Sequence, residues 1–369
     1  MNKREQIQKD ALTVALNNKR CGLGISMGVG KTLIGLNYIH SLTGVNTRKL
    51  RVLVVAPKLS IFDSWKDDAS KFNINIEGVD FTTYLSLNKH NPQDYDVLVL
   101  DECHSLLDSH LNFLGMFNGN ILGLTGTPPR YADSAKGKMV SQFCPIKFKY
   151  ITDDAVDDDI LNDYRIIVHK MSLSNSNNLP VKLKDKEFYT SEVKNYAYWT
   201  GRVYDANGPK QRQITSVMRM RALMDFKTKE TYAKHLLQDI EEKCIVFCNT
   251  QDQADRVCLH SVHSKNPQAE ENLESFKQGN IDKLSCVLQL NEGINIPELR
   301  AGIIMHAYGN ERKSSQRIGR LLRLNPTETA MVHILCYKNT IDETWVTEAL
   351  KDLDSNKIKY FDVDESLKR

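Results

Sequence analysis

The apolar residues in the first half of the chain alternate between helical spacing and short continuous runs. Residues 4–19 have a helix-like pattern, residues 22–27 predict a short strand, and residues 32–42 predict the next helix. Further apolar, β-branched runs of buried-strand length occupy residues 50–57, 96–102 and 121–128. Apolar strands alternating with amphipathic helices predict an α/β fold with a parallel sheet, in which ligands bind at the carboxyl ends of the strands.

The first predicted strand runs into a glycine-rich segment, residues 24–32, which reads GISMGVGKT. Its glycines let backbone N–H groups turn towards an anion, and the following helix directs its positive end to the same point. Lys31 is placed to reach the β- and γ-phosphates of ATP, and Thr32 to ligate Mg²⁺. The segment alone is also compatible with a helix-capping turn, because Ile25 stands where the complete phosphate-loop pattern has its first glycine.

Two adjacent carboxylates, Asp101 and Glu102, end the apolar run at residues 96–102. At the carboxyl end of a parallel strand they match the second half of a phosphate-hydrolysis site. Asp101 would hold Mg²⁺ through its water shell, and Glu102 would orient and deprotonate the attacking water. A pair of surface acids is the alternative, which the preceding Gly-Lys-Thr loop disfavours.

The composition is that of an ordinary globular chain and is compatible with the predicted α/β fold. Its 369 residues are 41% hydrophobic and 26% charged, which favours two domains, each with its own core. No apolar run approaches the ~18 residues of a membrane span, and the charged N-terminal pattern lacks a signal-peptide core, so we expect a cytoplasmic protein. The eight cysteines form no C-x-x-C pair, which favours buried thiols over disulfides or a zinc site.

The net charge of +3 is too small to indicate a nucleic-acid partner by itself. One basic cluster has few acids within it: Lys210, Arg212, Arg219, Arg221, Lys227, Lys229 and Lys234. It is compatible with a solvated helix face and, equally, with a surface that follows a phosphate backbone.

In its first half the chain resembles the superfamily 2 helicases and nucleic-acid translocases. Residues 26–32 look like motif I as the SWI/SNF-type motors have it, and residues 101–104, Asp-Glu-Cys-His, look like motif II of the DExH kind. Residues 125–128, Thr-Gly-Thr-Pro, resemble motif III of the duplex-tracking branches. Motifs Ia and Ib are similar to residues 55–58 and 82–84. Gln8 resembles the adenine-reading glutamine of the family, with Gln6 as the competing residue.

The second half carries the remaining motifs in order. Residues 243–249 resemble motif IV, residues 262–264 the short motif after it, and residues 290–297 motif V. Asn295 departs from the family, which usually has aspartate there. Residues 316–323 look like motif VI, and a basic amphipathic helix is the alternative for that stretch alone.

The resemblance implies an α/β protein of two tandem RecA-like P-loop domains with parallel central sheets and ATP in the cleft between them. The expected limits are residues 1–152 for the first domain, 153–160 for a linker, and 161–369 for the second domain. An inserted segment, residues 172–228, interrupts the second domain. In this insertion the Tyr198–Trp199 pair either stacks on a base or, as we favour, packs the insertion onto its domain.

The resemblance also assigns roles to individual residues. The expected catalytic residues are Glu102 as general base, Arg320 and Arg323 as arginine fingers, and Gln316. The expected nucleotide contacts are Gln8, Gly28, Gly30, Lys31, Thr32 and Gly293, with Thr32 and Asp101 also serving Mg²⁺. The expected contacts to the nucleic-acid backbone are Lys58, Thr82, Thr83, Asn249, Thr250 and Ser264.

The sequence therefore predicts a monomeric, ATP-dependent DNA helicase or double-stranded DNA translocase. Its partner would be duplex, branched or single-stranded DNA, bound independently of sequence through phosphates. Two alternatives stay open. One is an RNA helicase or RNA-dependent ATPase, and the other is a nucleic-acid-binding scaffold that uses ATP as a conformational switch.

Overall fold

The computed structural model describes residues 2–45, 49–129, 131–183, 186–287, 296, 298–307, 328–351 and 353–363. The chain divides into two compact units, of which the first runs to Asp163 and the second begins at Tyr164. Within the described residues, no helix is both long enough and apolar enough to cross a membrane.

The first unit is built on a six-stranded sheet in the order β3-β2-β4-β5-β1-β6. Every neighbouring pair in this sheet is parallel. Its elements are α1 (Lys3–Leu16), β1 (Arg20–Ile25), α2 (Lys31–Val45), β2 (Val52–Ala56), α3 (Ser60–Lys71), β3 (Val79–Thr83), β4 (Val97–Asp101), α4 (Leu111–Met116), β5 (Asn120–Thr125), α5 (Ala135–Phe143), β6 (Ile146–Tyr150) and α6 (Thr152–Asp157).

The second unit contains a seven-stranded sheet in the order β11-β12-β10-β13-β14-β7-β15. The pairs β11–β12, β12–β10, β10–β13, β13–β14 and β7–β15 are parallel. Its described elements are β7 (Asp163–Met171), β8 (Leu179–Leu183), β9 (Lys186–Thr190), α7 (Glu192–Tyr204), α8 (Pro209–Asp225), α9 (Lys227–Asp239), β10 (Cys244–Cys248), α10 (Gln251–Val257), β11 (Ser261–Val262), α11 (Ala269–Gln278), β12 (Lys283–Val287), β13 (Ala301–Ile304), β14 (Thr329–Tyr337), α12 (Ile341–Leu350) and β15 (Ile358–Asp362).

The predicted α/β class with two parallel sheets is confirmed. The central strands β2, β4 and β10 are buried along their whole length, as continuous apolar runs in a parallel sheet require. All eight cysteines are buried as free thiols. The expected linker, residues 153–160, lies largely in α6, where Ala155 and Val156 are buried.

Two elements lie outside the sequence-based expectation. The insertion contains the antiparallel hairpin β8–β9 in addition to the helices α7 and α8. The C-terminal segment, for which the sequence analysis gives no strand, contributes β15, which pairs with β7 from Ile358 to Asp362. Two of the five β15 residues are charged and its burial pattern does not alternate, so its sequence did not indicate a strand.

A buried ion pair joins three elements of the second unit. Lys229, at the start of α9, donates to Asp342 at 2.5 Å and to the carbonyl oxygen of Met305 at 3.0 Å. Asp342 also accepts the backbone N–H of Tyr337 at 2.8 Å. Because both charges are almost fully buried, removing either would leave the other uncompensated. Lys229 therefore belongs to the core and not to the exposed basic cluster in which the sequence places it.

A chain of buried polar rings links α9, β7 and β14. His169 Nδ1 lies 2.8 Å from the hydroxyl of Tyr232, and His169 Nε2 lies 2.9 Å from His333 Nδ1. Both contacts are satisfied with neutral rings if Tyr232 donates to His169 and His169 donates to His333. Burial lowers the pKa of His169 to about 3 and that of His333 to about 4.

This pair should make folding sensitive to acid. Both histidines have folded-state pKa values below their ordinary 6.5, so their contribution is complete above pH 6.5 and is lost as the pH falls towards these values. At about pH 5 the unfolded chain protonates both rings, whereas the folded protein keeps them neutral. Each ring should therefore lower the free energy of unfolding by about 2 kcal/mol at that pH. Denaturant unfolding at neutral pH and at about pH 5 measures this loss. The double variant His169→Gln/His333→Gln should lose clearly less between the two conditions, and an equal loss would contradict the assignment.

Candidate functional site

The parallel register of three adjacent strands brings the predicted nucleotide residues together. Gly24 of β1 pairs with Thr125 of β5, and Asp101 of β4 pairs with Leu124 of β5. All three strands therefore end at nearly the same level of the sheet. The loops that follow them carry the phosphate-loop, Asp-Glu and Thr-Gly-Thr-Pro segments, which consequently lie side by side.

The phosphate loop connects β1 to α2 and depends on two glycines with positive φ angles. Gly28 has φ +87° and Gly30 has φ +104°, a conformation that side chains disfavour. A Cβ atom on Gly30 would lie 2.6 Å from Nε2 of Gln8. Such a backbone turns successive N–H groups to one side, and Lys31 begins α2 directly behind it.

Helix α1 holds this loop from outside. Gln8 Nε2 donates to the carbonyl oxygen of Val29 at 2.6 Å, and Arg4 Nε donates to the same oxygen at 3.1 Å. Gln6, the competing glutamine, instead donates to Asp10 at 2.8 Å on the exposed side. Arg4 is not among the site residues predicted from the sequence. Its spacing of four residues from Gln8, which puts both on one helix face, was the available signal.

Asp101 is buried at the end of β4, and both its carboxylate and its backbone carbonyl accept hydrogen bonds. Its Oδ2 accepts the indole N–H of Trp65 at 2.9 Å, and its Oδ1 accepts the backbone N–H of Glu102 at 2.9 Å. The Tyr84 hydroxyl donates to its carbonyl oxygen at 2.9 Å. Burial, and next the Glu102 carboxylate, raise the pKa of Asp101 to about 6. A nearby cation would stabilise its charged form, as expected of a magnesium-site carboxylate.

The Glu102 carboxylate lies between Lys31 and His104, in an environment that suits a general base. Its backbone has φ +51°, a left-handed conformation uncommon outside glycine and often found at functional sites. Lys31 Nζ lies 3.8 Å from Oε1, and His104 Nδ1 lies 3.3 Å from Oε2. Oε2 is buried and has no hydrogen-bond partner among the described residues. This oxygen is therefore able to accept a proton from a water molecule.

His104 connects the Asp-Glu segment to the loop after β5. Its Nδ1 lies 2.8 Å from Thr125 Oγ1, and the same hydroxyl oxygen accepts the backbone N–H of Thr127 at 3.1 Å. The buried ring is thus hydrogen-bonded within the core. These contacts also join two predicted motifs directly, the Asp-Glu-Cys-His and Thr-Gly-Thr-Pro segments.

The predicted nucleic-acid contacts of the first unit lie beyond β2 and β3. Lys58 is exposed two residues after β2, and Thr83, opposite Ala56 in the register, is half-buried. Thr82 is buried, and its hydroxyl lies 3.0 Å from His90 Nε2. The structure therefore brings Lys58 and Thr83 to the surface at one edge of the sheet, while the Thr82 side chain is turned inwards.

The corresponding residues of the second unit follow β10 and β11. Thr250 caps α10 by accepting the N–H of Gln253 at 3.2 Å, and Ser264 accepts from Gln251 Nε2 at 3.0 Å. Hydroxyls that accept hydrogen bonds keep their own protons to donate, for example to phosphate oxygens. Asn249 lies in the same turn, where its side-chain amide contacts the Met224 thioether.

A network of side-chain hydrogen bonds, not predicted from the sequence, stabilises the loop that carries Ser264. Asp255 Oδ1 accepts from Ser261 Oγ at 2.6 Å and from His263 Nε2 at 2.7 Å. Asn266 Nδ2 donates to the carbonyl oxygen of Ser261 at 2.8 Å. The Ser261 and His263 hydrogen bonds lower the pKa of Asp255, which keeps this carboxylate charged.

Of the Tyr198–Trp199 pair in the insertion, only the tyrosine is exposed. Tyr198 is 58% exposed, whereas Trp199 is partly buried and meets the Tyr198 ring edge-on at 5.1 Å. Lys210 and Arg212 are exposed in the first turns of α8. Both interpretations of this segment therefore stay open. The predicted site residues Gly293, Gln316, Arg320 and Arg323 lie outside the described residues.

The residues present fit a magnesium nucleotide. The glycine loop supplies backbone donors and Lys31 supplies a cation for phosphates, while the buried Asp101 carboxylate supplies oxygen for a hard divalent ion. Gly30 leaves the room that a Cβ atom would fill.

Two family descriptions match parts of the chain. Residues 2–130 match the family described as "Type III restriction enzyme, res subunit", and residues 227–325 match the "Helicase conserved C-terminal domain". Together they account for more than half of the chain. The chain is also 24% identical to the "DNA 3'-5' translocase XPB2" of Sulfurisphaera tokodaii, over 91% of this chain and 82% of that protein.

Two solved structures show the same fold. A fragment of a putative HsdR subunit of a type I restriction enzyme from Vibrio vulnificus is 19% identical, with a TM-score of 0.64 over 98% of this chain and 69% of that one. The ATP-dependent Type ISP restriction-modification enzyme LlaBIII bound to DNA is 15% identical, with a TM-score of 0.63 over 99% of this chain. The chain spans only 31% of the length of LlaBIII.

Substituting Gly30 tests the phosphate loop directly. Gly30→Ala forces a side chain into a left-handed position and against the Gln8 amide, so we expect ATP affinity to fall at least about tenfold. Binding of a fluorescent ATP analogue measures the change. Gly44→Ala in α2 is the matched control, because nothing lies within 4 Å of its Cβ position. Equal affinities for the two variants would contradict the assignment of the loop.

Proposed function

We propose that this chain, a member of the superfamily 2 helicases and translocases, uses ATP hydrolysis to move along DNA. The predictions of family membership, nucleic-acid-dependent ATPase activity, and DNA helicase or translocase function are confirmed by the family matches and the relative. The individual site residues, the DNA substrate form and the localisation remain proposals.

The observation that carries the proposal is the convergence of Lys31, Asp101 and Glu102 at the ends of neighbouring strands. Glu102 Oε1 lies 3.8 Å from Lys31 Nζ, and Asp101 is fixed by Trp65 and by the Glu102 amide. A site with only a binding role would not need, beside the phosphate loop, a buried carboxylate oxygen that accepts no hydrogen bond from the described residues. The arrangement therefore favours hydrolysis over a purely conformational role for ATP.

In this mechanism the loop amides and Lys31 would bind the phosphates, and Thr32 and Asp101 would hold Mg²⁺. When bound, the ion neutralises charge on the phosphate oxygens. Lys31 then has phosphate as a second anionic partner, so its pairing with Glu102 weakens and Glu102 becomes more available to a water molecule. Glu102 Oε2 accepts the proton of that water as the water oxygen bonds to the γ-phosphorus of ATP. The bond from that phosphorus to the β,γ-bridging oxygen breaks, and ADP is the leaving group. By the resemblance to motif VI, Arg320 and Arg323 would serve as arginine fingers.

Contacts to DNA would come from groups that carry no base-reading pattern. Lys58, Thr83, Thr250 and Ser264 offer a cation and hydroxyl protons at the carboxyl ends of the sheets. Such groups bind phosphates independently of sequence, and the affinity should fall steeply with salt. We propose DNA over RNA because the relative is named a DNA translocase and a structural neighbour is bound to DNA.

Two further properties complete the proposal. We place the protein in the cytoplasm, which is supported by eight buried free thiols that suit a reducing compartment. We also propose that it acts as a monomer. An RNA-dependent ATPase and an ATP-switched scaffold remain the competing functions.

The primary experiment compares steady-state ATPase rates without nucleic acid and with single-stranded DNA, duplex DNA, a branched junction and single-stranded RNA, at one salt concentration. We expect stimulation by DNA, greatest with duplex or junction, because the Thr-Gly-Thr-Pro segment resembles that of duplex-tracking motors. Stimulation by RNA alone would overturn the DNA assignment. No stimulation by any polymer would favour the scaffold.

The Glu102→Gln variant separates binding from chemistry. The amide keeps the size of the side chain but cannot accept the proton, so DNA-stimulated turnover should fall at least about 100-fold. Affinity for the fluorescent ATP analogue should stay within about threefold of wild type. Glu298→Gln, a substitution at an exposed position, is the matched control. Turnover near the wild-type rate in Glu102→Gln would assign the general base elsewhere.

A further inference from the structure

Trp65 is fully buried in α3 and touches the Asp101 carboxylate. Its indole N–H donates to Asp101 Oδ2 at 2.9 Å, with the ring at 0% exposure. The backbone N–H of Glu102 occupies the other carboxylate oxygen. These two donors fix the rotation of the carboxylate about its Cα–Cβ and Cβ–Cγ bonds. Of the two donors, only the indole belongs to an element other than the Asp-Glu segment.

The same indole packs against the helix that follows the phosphate loop. A Cβ atom on Gly35 of α2 would lie 2.4 Å from the Cη2 atom of Trp65 and 3.1 Å from Cδ1 of Leu124. Trp65 therefore fills the space that the absent side chain of Gly35 leaves. Gly35 lies one helical turn after Lys31, so one side chain contacts both halves of the nucleotide site.

The N-terminal end of α3 lies on the proposed nucleic-acid side. Lys58 is exposed two residues before the helix begins, and Leu59 is 70% exposed. Phe62, in the first turn, packs against Phe81 of β3 with ring centroids 5.4 Å apart, next to Thr82 and Thr83. A displacement of this end by a bound strand would be transmitted along a short, rigid helix.

We propose that Trp65 is a positioning residue that couples contact with nucleic acid at the start of α3 to the orientation of the magnesium carboxylate Asp101. The inference rests on the proposed function for its nucleic-acid half. Its nucleotide half stands on the contacts with Asp101 and Gly35 alone. A tyrosine or phenylalanine could fill much of the same volume, but neither would donate from the position of the indole nitrogen.

The test uses Trp65→Phe in the full chain, with Trp345→Phe as the matched control. Trp345 lies in α12 and packs on the core of the second unit. The first readout is the affinity for a fluorescent ADP analogue in Mg²⁺ and in EDTA. We expect Trp65→Phe to bind as wild type does in EDTA, and to lose about tenfold of the Mg²⁺-dependent gain, which is the size of one hydrogen bond to a charged group. The control should keep the gain.

The second readout is the ratio of DNA-stimulated to basal ATPase rate, together with DNA affinity. We expect the ratio to fall at least about fivefold in Trp65→Phe while DNA affinity stays within about twofold. Equal losses of nucleotide affinity in EDTA and in Mg²⁺, with a lowered melting temperature, would mean that Trp65 is only a packing residue and would overturn the inference. An unchanged Mg²⁺-dependent gain would overturn it as well. If wild type shows no stimulation by DNA, the proposed function fails, but the nucleotide-affinity comparison still decides the role of Trp65.

Discussion

The parallel register of β1, β4 and β5 is the constraint on which the rest of the site depends. Because Gly24 pairs with Thr125, and Asp101 with Leu124, these three neighbouring strands end at one level of the sheet. A one-residue slip in β4 would turn Asp101 to the opposite face and separate it from Lys31. The buried apolar runs that fix this register are therefore as necessary to the chemistry as the charged residues. Their hydrophobic burial holds three short polar segments side by side, with His104 hydrogen-bonded to Thr125 and Lys31 Nζ 3.8 Å from Glu102 Oε1.

Electrostatics then distinguish the two neighbouring carboxylates. Asp101 is buried and accepts two N–H groups, whereas Glu102 keeps one buried oxygen without a hydrogen-bond partner in the described part of the chain. Burial raises the pKa of Asp101 because it disfavours the charged carboxylate. A cation bound beside this carboxylate would therefore stabilise it more than it would an exposed one. Two acids that are adjacent in sequence thus have different environments, one suited to a metal ion and one to a proton.

The sequence was sufficient for the features that depend on local pattern. Continuous apolar runs predicted β2, β4 and β5, and the glycine-rich segment before Lys31 predicted the loop in which Gly28 and Gly30 have positive φ angles. It was insufficient where the partner is distant in the chain. Trp65 lies 36 residues from Asp101, and Lys229 lies 113 residues from Asp342, so neither contact leaves a periodic signal. Lys229 illustrates the consequence, since a lysine among basic neighbours is normally exposed and only a buried carboxylate makes its burial tolerable.

The residues proposed to contact phosphate at the second sheet include hydroxyl donors. Thr250 and Ser264 each accept a hydrogen bond from their own neighbourhood, from Gln253 N–H and from Gln251 Nε2. Those contacts orient the hydroxyl oxygens while their protons stay available to an external acceptor. Asp255, fixed by Ser261 and His263, keeps the Ser264 loop in place without putting its negative charge in the same turn. A surface organised in this way would bind a phosphate backbone through oriented neutral donors, so the contacts proposed at this sheet do not depend on positive charge alone.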